Sequence, residues 1–153
     1  VIMAIYYADG SNSSEGRIIR TLVYSTNNRV ETSSSSFQNT NLSGTITPKA
    51  ASNHIYIQVH ADANTNDSTN SMMIRIMRGS TNLGNSTSGL VNHFNADRLH
   101  CSVNMGFIDS SHNSTSQLTY RVAIRKAAGY GNVEFPVSDG YEPAIMTLTE
   151  IAH

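Results

Sequence analysis

Cysteine is almost missing from this sequence: Cys101 stands alone among 153 residues. A single thiol closes no intrachain disulfide, so the fold does not depend on oxidation. Charge is scarce as well. Asp, Glu, Lys and Arg make up 14% of the chain and sum to a net charge of -1. That balance gives no electrostatic footprint for nucleic acid or an anionic membrane surface, and neither partner is expected. Tryptophan is absent and proline occurs three times. No apolar run approaches the ~20 residues of a membrane-spanning helix, so no membrane insertion is expected. Val1 to Tyr7 is apolar but short, and it lacks the basic start and long apolar core of a secretory signal. Synthesis without a signal peptide, in the cytoplasm of the producing cell, is the expectation. Catalytic motifs are missing too. No serine sits in a nucleophile elbow and no glycine loop cradles phosphate. The expectation is a protein with no cofactor and no enzymatic activity.

Serine, threonine and asparagine fill the deficit in charge. Their side chains compete for backbone hydrogen bonds, which disfavours helices and favours turns and strand edges. The apolar residues that remain alternate. Ile55, Ile57 and Val59 fall on one side of an extended segment, with His54, Tyr56, Gln58 and His60 on the other. A period of two marks a half-buried strand. The pattern recurs in Leu22 and Tyr24, in Leu42 and Ile46 with Gly44 between them, and in Met72, Ile74 and Ile76. It returns in Val103, Met105 and Phe107, in the run Leu118, Tyr120, Val122 and Ile124, and in Ala144 to Ile151. Gly44 marks a bulge or a close backbone approach. The segment 84–95 has no clean period and reads as a loop, as do 62–70 and 109–116. Turn clusters recur every ~8–12 residues, which predicts about eight or nine strands in a two-sheet antiparallel β-sandwich of jelly-roll type. An up-and-down barrel is the alternative. The length suits one domain, placed at 17–153. Residues 1–16 read either as an anchoring arm or as a first strand.

Several stretches, in order, resemble a family of jelly-roll virion proteins of tailed bacteriophages, abundant in marine and cyanobacterial phages. Gly16-Arg17-Ile18-Ile19 is similar to the family's entry strand. The Ser/Thr-rich run from Thr32 ends in Thr45-Ile46-Thr47-Pro48, as in the family. Arg78-Gly79-Ser80 matches an Arg-Gly turn, and Leu118 to Val122 matches a Thr-Thr-Tyr strand. Met146 to Ala152 resembles a terminal Thr-Leu-x-Glu-Ile motif. The sequence departs at His54, where the family has lysine. The resemblance implies a homotrimeric module on the surface of a virion, bound to the major capsid protein or another virion protein. A complete chain this short would suit a capsid decoration, cement or short head-spike protein. The alternative is a tail-fibre or tailspike module that recognises a glycan on the host surface. The family transfers no catalytic residues.

Candidate residues follow from these readings. Ile2, Ile5, Tyr6 and Tyr7 are the candidate anchor of the arm. Tyr56, Met73 and Met77 are candidate subunit-interface residues, because Tyr and Met are enriched at interfaces and adjacent Met72 and Met73 must face opposite ways. Asp62, Asn66, Asp109 and Tyr130 are candidate glycan contacts in loops. Glu150 reads as a structural ion pair with Arg20, Arg75 or Arg121. The histidines and Cys101 lack metal-ligand spacing. Asp62 and Asp67 supply too few carboxylates for calcium.

Overall fold

A computed structural model describes residues 16–65, 71–94, 100–137 and 143–153. The described residues form eleven strands: β1 (Ile18–Thr26), β2 (Val30–Thr32), β3 (Gln38–Ile46), β4 (His54–Thr65), β5 (Ser71–Arg78), β6 (Thr81–Leu83), β7 (Val91–Phe94), β8 (His100–Asp109), β9 (Leu118–Ala128), β10 (Val133–Phe135) and β11 (Ala144–Ile151). They divide into two antiparallel sheets. The first sheet runs β1-β11-β4-β8, with the short β10 and β2 continuing beside the far end of β4. The second runs β3-β9-β5, with β6 and β7 both on the outer edge of β5. The two orders weave the chain back and forth between the sheets. That is the jelly-roll sandwich, and it replaces the alternative of an up-and-down barrel.

The alternation read in the sequence places the core. Ile55, Ile57, Val59, Met72, Ile74, Ile76, Val122, Ile124, Met146 and Leu148 are at most 2% exposed and lie between the sheets. Fully burying one such side chain is worth about 1.5–3 kcal/mol. Gly44 is a close approach: a β-carbon there would overlap the Tyr24 ring, which packs over it from the first sheet. The β3–β9 register also slips between Asn39 and Ser43, so the bulge lies just ahead of the glycine.

Three expectations need correction. The strand from His54 does not stop near Val59 but continues to Thr65, because Ala61, Ala63 and Thr65 keep the inward parity and are buried. Residues 84–95 are not simply loop: Asn85 and Gly89 form a bridge, and β7 adds to the edge of β5. The count is eleven rather than about eight or nine, with β7 standing in a segment read as loop.

Two buried carboxylates tie the layers together. Asp109, at the end of β8 in the first sheet, is 1% exposed. It accepts hydrogen bonds from Arg78 Nη1 at 2.6 Å and from Tyr120 Oη at 2.8 Å, both in the second sheet. Ser111 N and Oγ complete its shell, each at 3.1 Å. Burial raises the carboxyl pKa, but the Tyr120, Arg78 and Ser111 donors outweigh it and hold Asp109 below its ordinary value. The same burial and the neighbouring carboxylate push the Tyr120 phenol upward, so it stays a donor.

Glu150, in β11, is fully buried and pins the connection between β3 and β4. It accepts from Lys49 N at 2.6 Å, Asn53 Nδ2 at 2.7 Å and Arg20 Nε at 3.0 Å. Arg20 Nη2 also donates to the Thr47 carbonyl. Desolvation raises Glu150, and the Asn53, Lys49 and Arg20 donors more than reverse it, so its pKa is lowered. The network continues through Asn53 to His112. The His112 Nε2 donates to the Asn53 carbonyl at 2.6 Å, and Nδ1 accepts from Ser114 N at 3.2 Å.

Candidate functional site

The outer face of the first sheet is built by the strand positions that alternate with the core. Its register sets out three rows. Thr21, Thr149, Tyr56 and Ile108 lie side by side, then Val23, Thr147, Gln58 and Gly106, then Ser25, Ile145, His60 and Asn104. None of these twelve positions holds Asp, Glu, Lys or Arg. Val23 is 64% exposed and Ile108 is 54% exposed. Uncharged, β-branched residues on a broad exposed sheet face are unusual for a surface that meets only water.

Within this face lies a shallow depression of about 390 Å³, lined by Tyr56, Gln58, His60, Asn104, Gly106 and Thr147 among others. Gly106 shapes it. The Tyr56 ring lies across the bare backbone, and a β-carbon at Gly106 would sit 3.0 Å from the phenol oxygen. His60 Nδ1 and Asn104 Oδ1 are hydrogen-bonded at 2.7 Å along its wall. The depression therefore offers a partly exposed aromatic ring, two amides and an imidazole, with the Asp62 carboxylate at the next outward position of β4 beyond His60.

The second sheet presents a different outer face. Met73, Arg75 and Met77 of β5 lie opposite Arg125, Ala123 and Arg121 of β9. Tyr56 is thus on one side of the sandwich and Met73 and Met77 on the other, so the three interface candidates do not form one patch. Met73 is half-buried, with its sulfur 3.0 Å from Arg125 Nη2, and Met77 is buried at 9% exposure.

The glycan candidates do not converge either. Asp109 is corrected from an exposed loop acid to the buried clasp between the sheets, because Arg78 and Tyr120 close over it. Asp62 lies on β4 and accepts from Ser102 Oγ at 2.9 Å. Tyr130 is 80% exposed in the turn between β9 and β10, at the opposite end of the sandwich from Asp109. Asn66 lies outside the described residues, as do the arm candidates Ile2, Ile5, Tyr6 and Tyr7. Glu150 pairs with Arg20 and with neither of the other arginines considered.

Among the described residues, no group of three or more His, Cys, Asp or Glu is placed to hold a metal ion. His54 stacks on His153 with ring centres 4.3 Å apart. The carboxylates of Asp109 and Glu150 are each closed off by their donors, so neither faces a cleft where it could act on a substrate. The sequence reading missed the depression's second wall, because Asn104 and Gly106 enter only through the β4–β8 register. A glycine on the outward parity of a strand, opposite Gln58, was the available signal.

No family model matches the chain, and no curated protein is significantly similar to it. The geometry of the two outer faces therefore carries the functional reading.

Proposed function

We propose that this chain is a non-enzymatic structural protein of a tailed-phage particle, a decoration or cement module that self-associates as a homotrimer. The observation that carries the reading is the uncharged middle of the first sheet's outer face, three rows across β1, β11, β4 and β8, with Val23 and Ile108 more than half exposed. Four strands ~4.8 Å apart, with the three rows spanning five residues at ~3.4 Å each, make a patch of about 19 by 17 Å. That is about 320 Å² flat, enough for the centre of a contact but not for the ~800 Å² per partner of a standard interface, whose rim must come from the residues around it. At ~25 cal/mol per Å² of apolar area, such a contact is worth several kcal/mol before association costs. The resemblance to phage jelly-roll virion proteins supplies the particle as the setting and the trimer as the number of copies.

Sedimentation velocity on the full chain tests it. A trimer is expected, and Ile108→Lys or Val23→Lys returns it to a folded monomer that still unfolds cooperatively, since both side chains are exposed. A monomer at every concentration sinks the reading.

The depression at Tyr56 favours a second reading on the same face. A phenol ring beside Gln58, His60 and Asn104 is suited to a neutral sugar, stacking on one side and hydrogen-bonding on the other. A host glycan bound there would make the module a receptor-binding tip. Glycan-array binding that disappears in Tyr56→Ala would support it. Because one face cannot be buried twice, sugar binding and trimer formation through it compete.

A further inference from the structure

On the opposite face of the sandwich, the guanidinium of Arg75 lies 3.9 Å above the centre of the Phe37 ring, and that of Arg125 lies 5.2 Å from it. Arg121 projects from the same face of β9, four residues from Arg125 with Ala123 between them on the outward parity. The four ion pairs among the described residues engage Arg20, Arg29 and Arg78, and none engages these three. Arg125 donates only to neutral acceptors, the carbonyls of Ser35 at 3.1 Å and Thr87 at 2.8 Å and the sulfur of Met73. The Nε of Arg75 and of Arg125 are both buried and have no hydrogen-bond partner. Among the described residues, three cations thus gather on one sheet face without a counter-charge.

Such an arrangement is costly alone. Desolvation, and then the charge of Arg125, lower the pKa of Arg75. Two like charges at one ring repel, and each unpartnered buried donor forfeits the hydrogen bond that water would give it. A carboxylate would relieve the repulsion between the cations, and its two oxygens match the planar fork of a guanidinium.

We propose that this face of the second sheet, centred on Arg75 and Arg125, is a docking surface for a carboxylate-bearing segment of a partner protein. Charge complementarity selects an acidic partner. The neighbours select a protein over an acidic sugar. Arg75 covers the Phe37 ring, so the ring offers no open platform for a sugar. The flanking Met73 and Met77 are thioethers of the kind that pack against other side chains, and Arg and Met are enriched at protein interfaces. This face lies on the other side of the sandwich from the one used for self-association, so the two tests fail independently.

The test is an NMR titration of the full, isotope-labelled chain, read at the arginine Nε–H signals. The probe is hexaglutamate, with hexaglutamine and a hexameric uronate oligosaccharide as comparisons. The Arg75 and Arg125 signals are expected to move and saturate with hexaglutamate alone. Arg75→Gln should weaken that binding by about tenfold or more. Arg75→Lys should weaken it nearly as much, because an ammonium keeps the charge and loses the fork. The backbone spectrum reports whether each variant is folded, and Arg125→Gln stands in if Arg75→Gln is not. Three results overturn the proposal: no movement with hexaglutamate, unchanged affinity in folded variants, or equal movement with the uronate. Movement of the same signals on simple dilution of the protein also overturns it, because a second copy is then the occupant.

Discussion

Replacing Glu150 with glutamine tests whether one buried carboxylate pins the β3–β4 connection. Glutamine has nearly the same shape, so packing is conserved and the change is in charge and donors. In the native chain one oxygen accepts from Lys49 N at 2.6 Å and Asn53 Nδ2 at 2.7 Å. The other accepts from Arg20 Nε at 3.0 Å. A glutamine oxygen can keep the first pair. Its amide nitrogen then faces Arg20, and donor meets donor. One hydrogen bond between ionised groups is worth about 1.5–3 kcal/mol. The two bonds that survive drop from charge-assisted to neutral, which removes about 1 kcal/mol more. Arg20 is 29% exposed at its side chain and recovers part of its loss from water. The net loss is about 3 kcal/mol, at the low end for breaking a buried pair.

That loss lowers the melting temperature of a domain this size by about 6–12 °C. Urea unfolding and calorimetry at neutral pH measure both quantities. The pH dependence gives an independent check. The folded pKa of Glu150 lies below its ordinary value of 4.5. Its stabilisation is therefore complete above 4.5 and is lost as the pH falls through the lower, folded value. The gap between native and Glu150→Gln proteins should be widest at neutral pH and shrink in acid. A loss under about 1 kcal/mol, or a gap that does not change with pH, refutes the assignment of the pin to the ionised carboxylate.

The clasp at Asp109 should rank two variants. Asp109→Asn strands Arg78 and should cost about 3–5 kcal/mol, whereas Tyr120→Phe removes one donor of several and should cost about 1–2, both read by urea unfolding. Gly89 has a φ of +71°, and a β-carbon there would overlap the carbonyl oxygen of Ile74. Gly89→Ala should lose more than about 2 kcal/mol by the same assay, and an alanine variant of native stability would show the turn to be built differently. The Cys101 thiol is raised above its ordinary value, by burial first and also by the nearby Asp62 charge, which together outweigh a lowering contribution from the Ala63 backbone. Its alkylation at neutral pH should be slower than that of the unfolded chain, and a fast reaction in the folded protein would contradict the burial.

Much of the sandwich is legible in the side-chain pattern. Ile55, Ile57 and Val59 announce an inward face because each is large and each alternates with a polar neighbour. The same strand fades from view at Ala61, Ala63 and Thr65, where the buried residues are small and the outward ones are Asp and Asn. What holds those residues extended is pairing with Val103 and Cys101 some forty positions on, which local composition does not encode. The strand at Val91–Phe94 is hidden for the same reason, since the edge of β5 specifies it. The functional faces were less visible. Asp109 resembles any other acid beside a Ser-rich turn until Arg78 and Tyr120 are brought over it. Phe37, Arg75 and Arg125 are far apart in sequence and unremarkable singly. The outward parity of Arg75 with Met73 and Met77, and of Arg121 with Arg125, could have suggested a shared basic face.

The last strand, Ala144–Ile151, lies inside its sheet, zipped to β1 on one side and to β4 on the other. On the ribosome, then, the earlier strands of that layer emerge with a slot between them that only late residues can close. Until those residues clear the exit tunnel, two long backbone ladders stay open to any passing extended segment. Translation speed through the stretch that precedes this strand, and the chaperones that meet the waiting chain, would therefore govern how much of it reaches its native form.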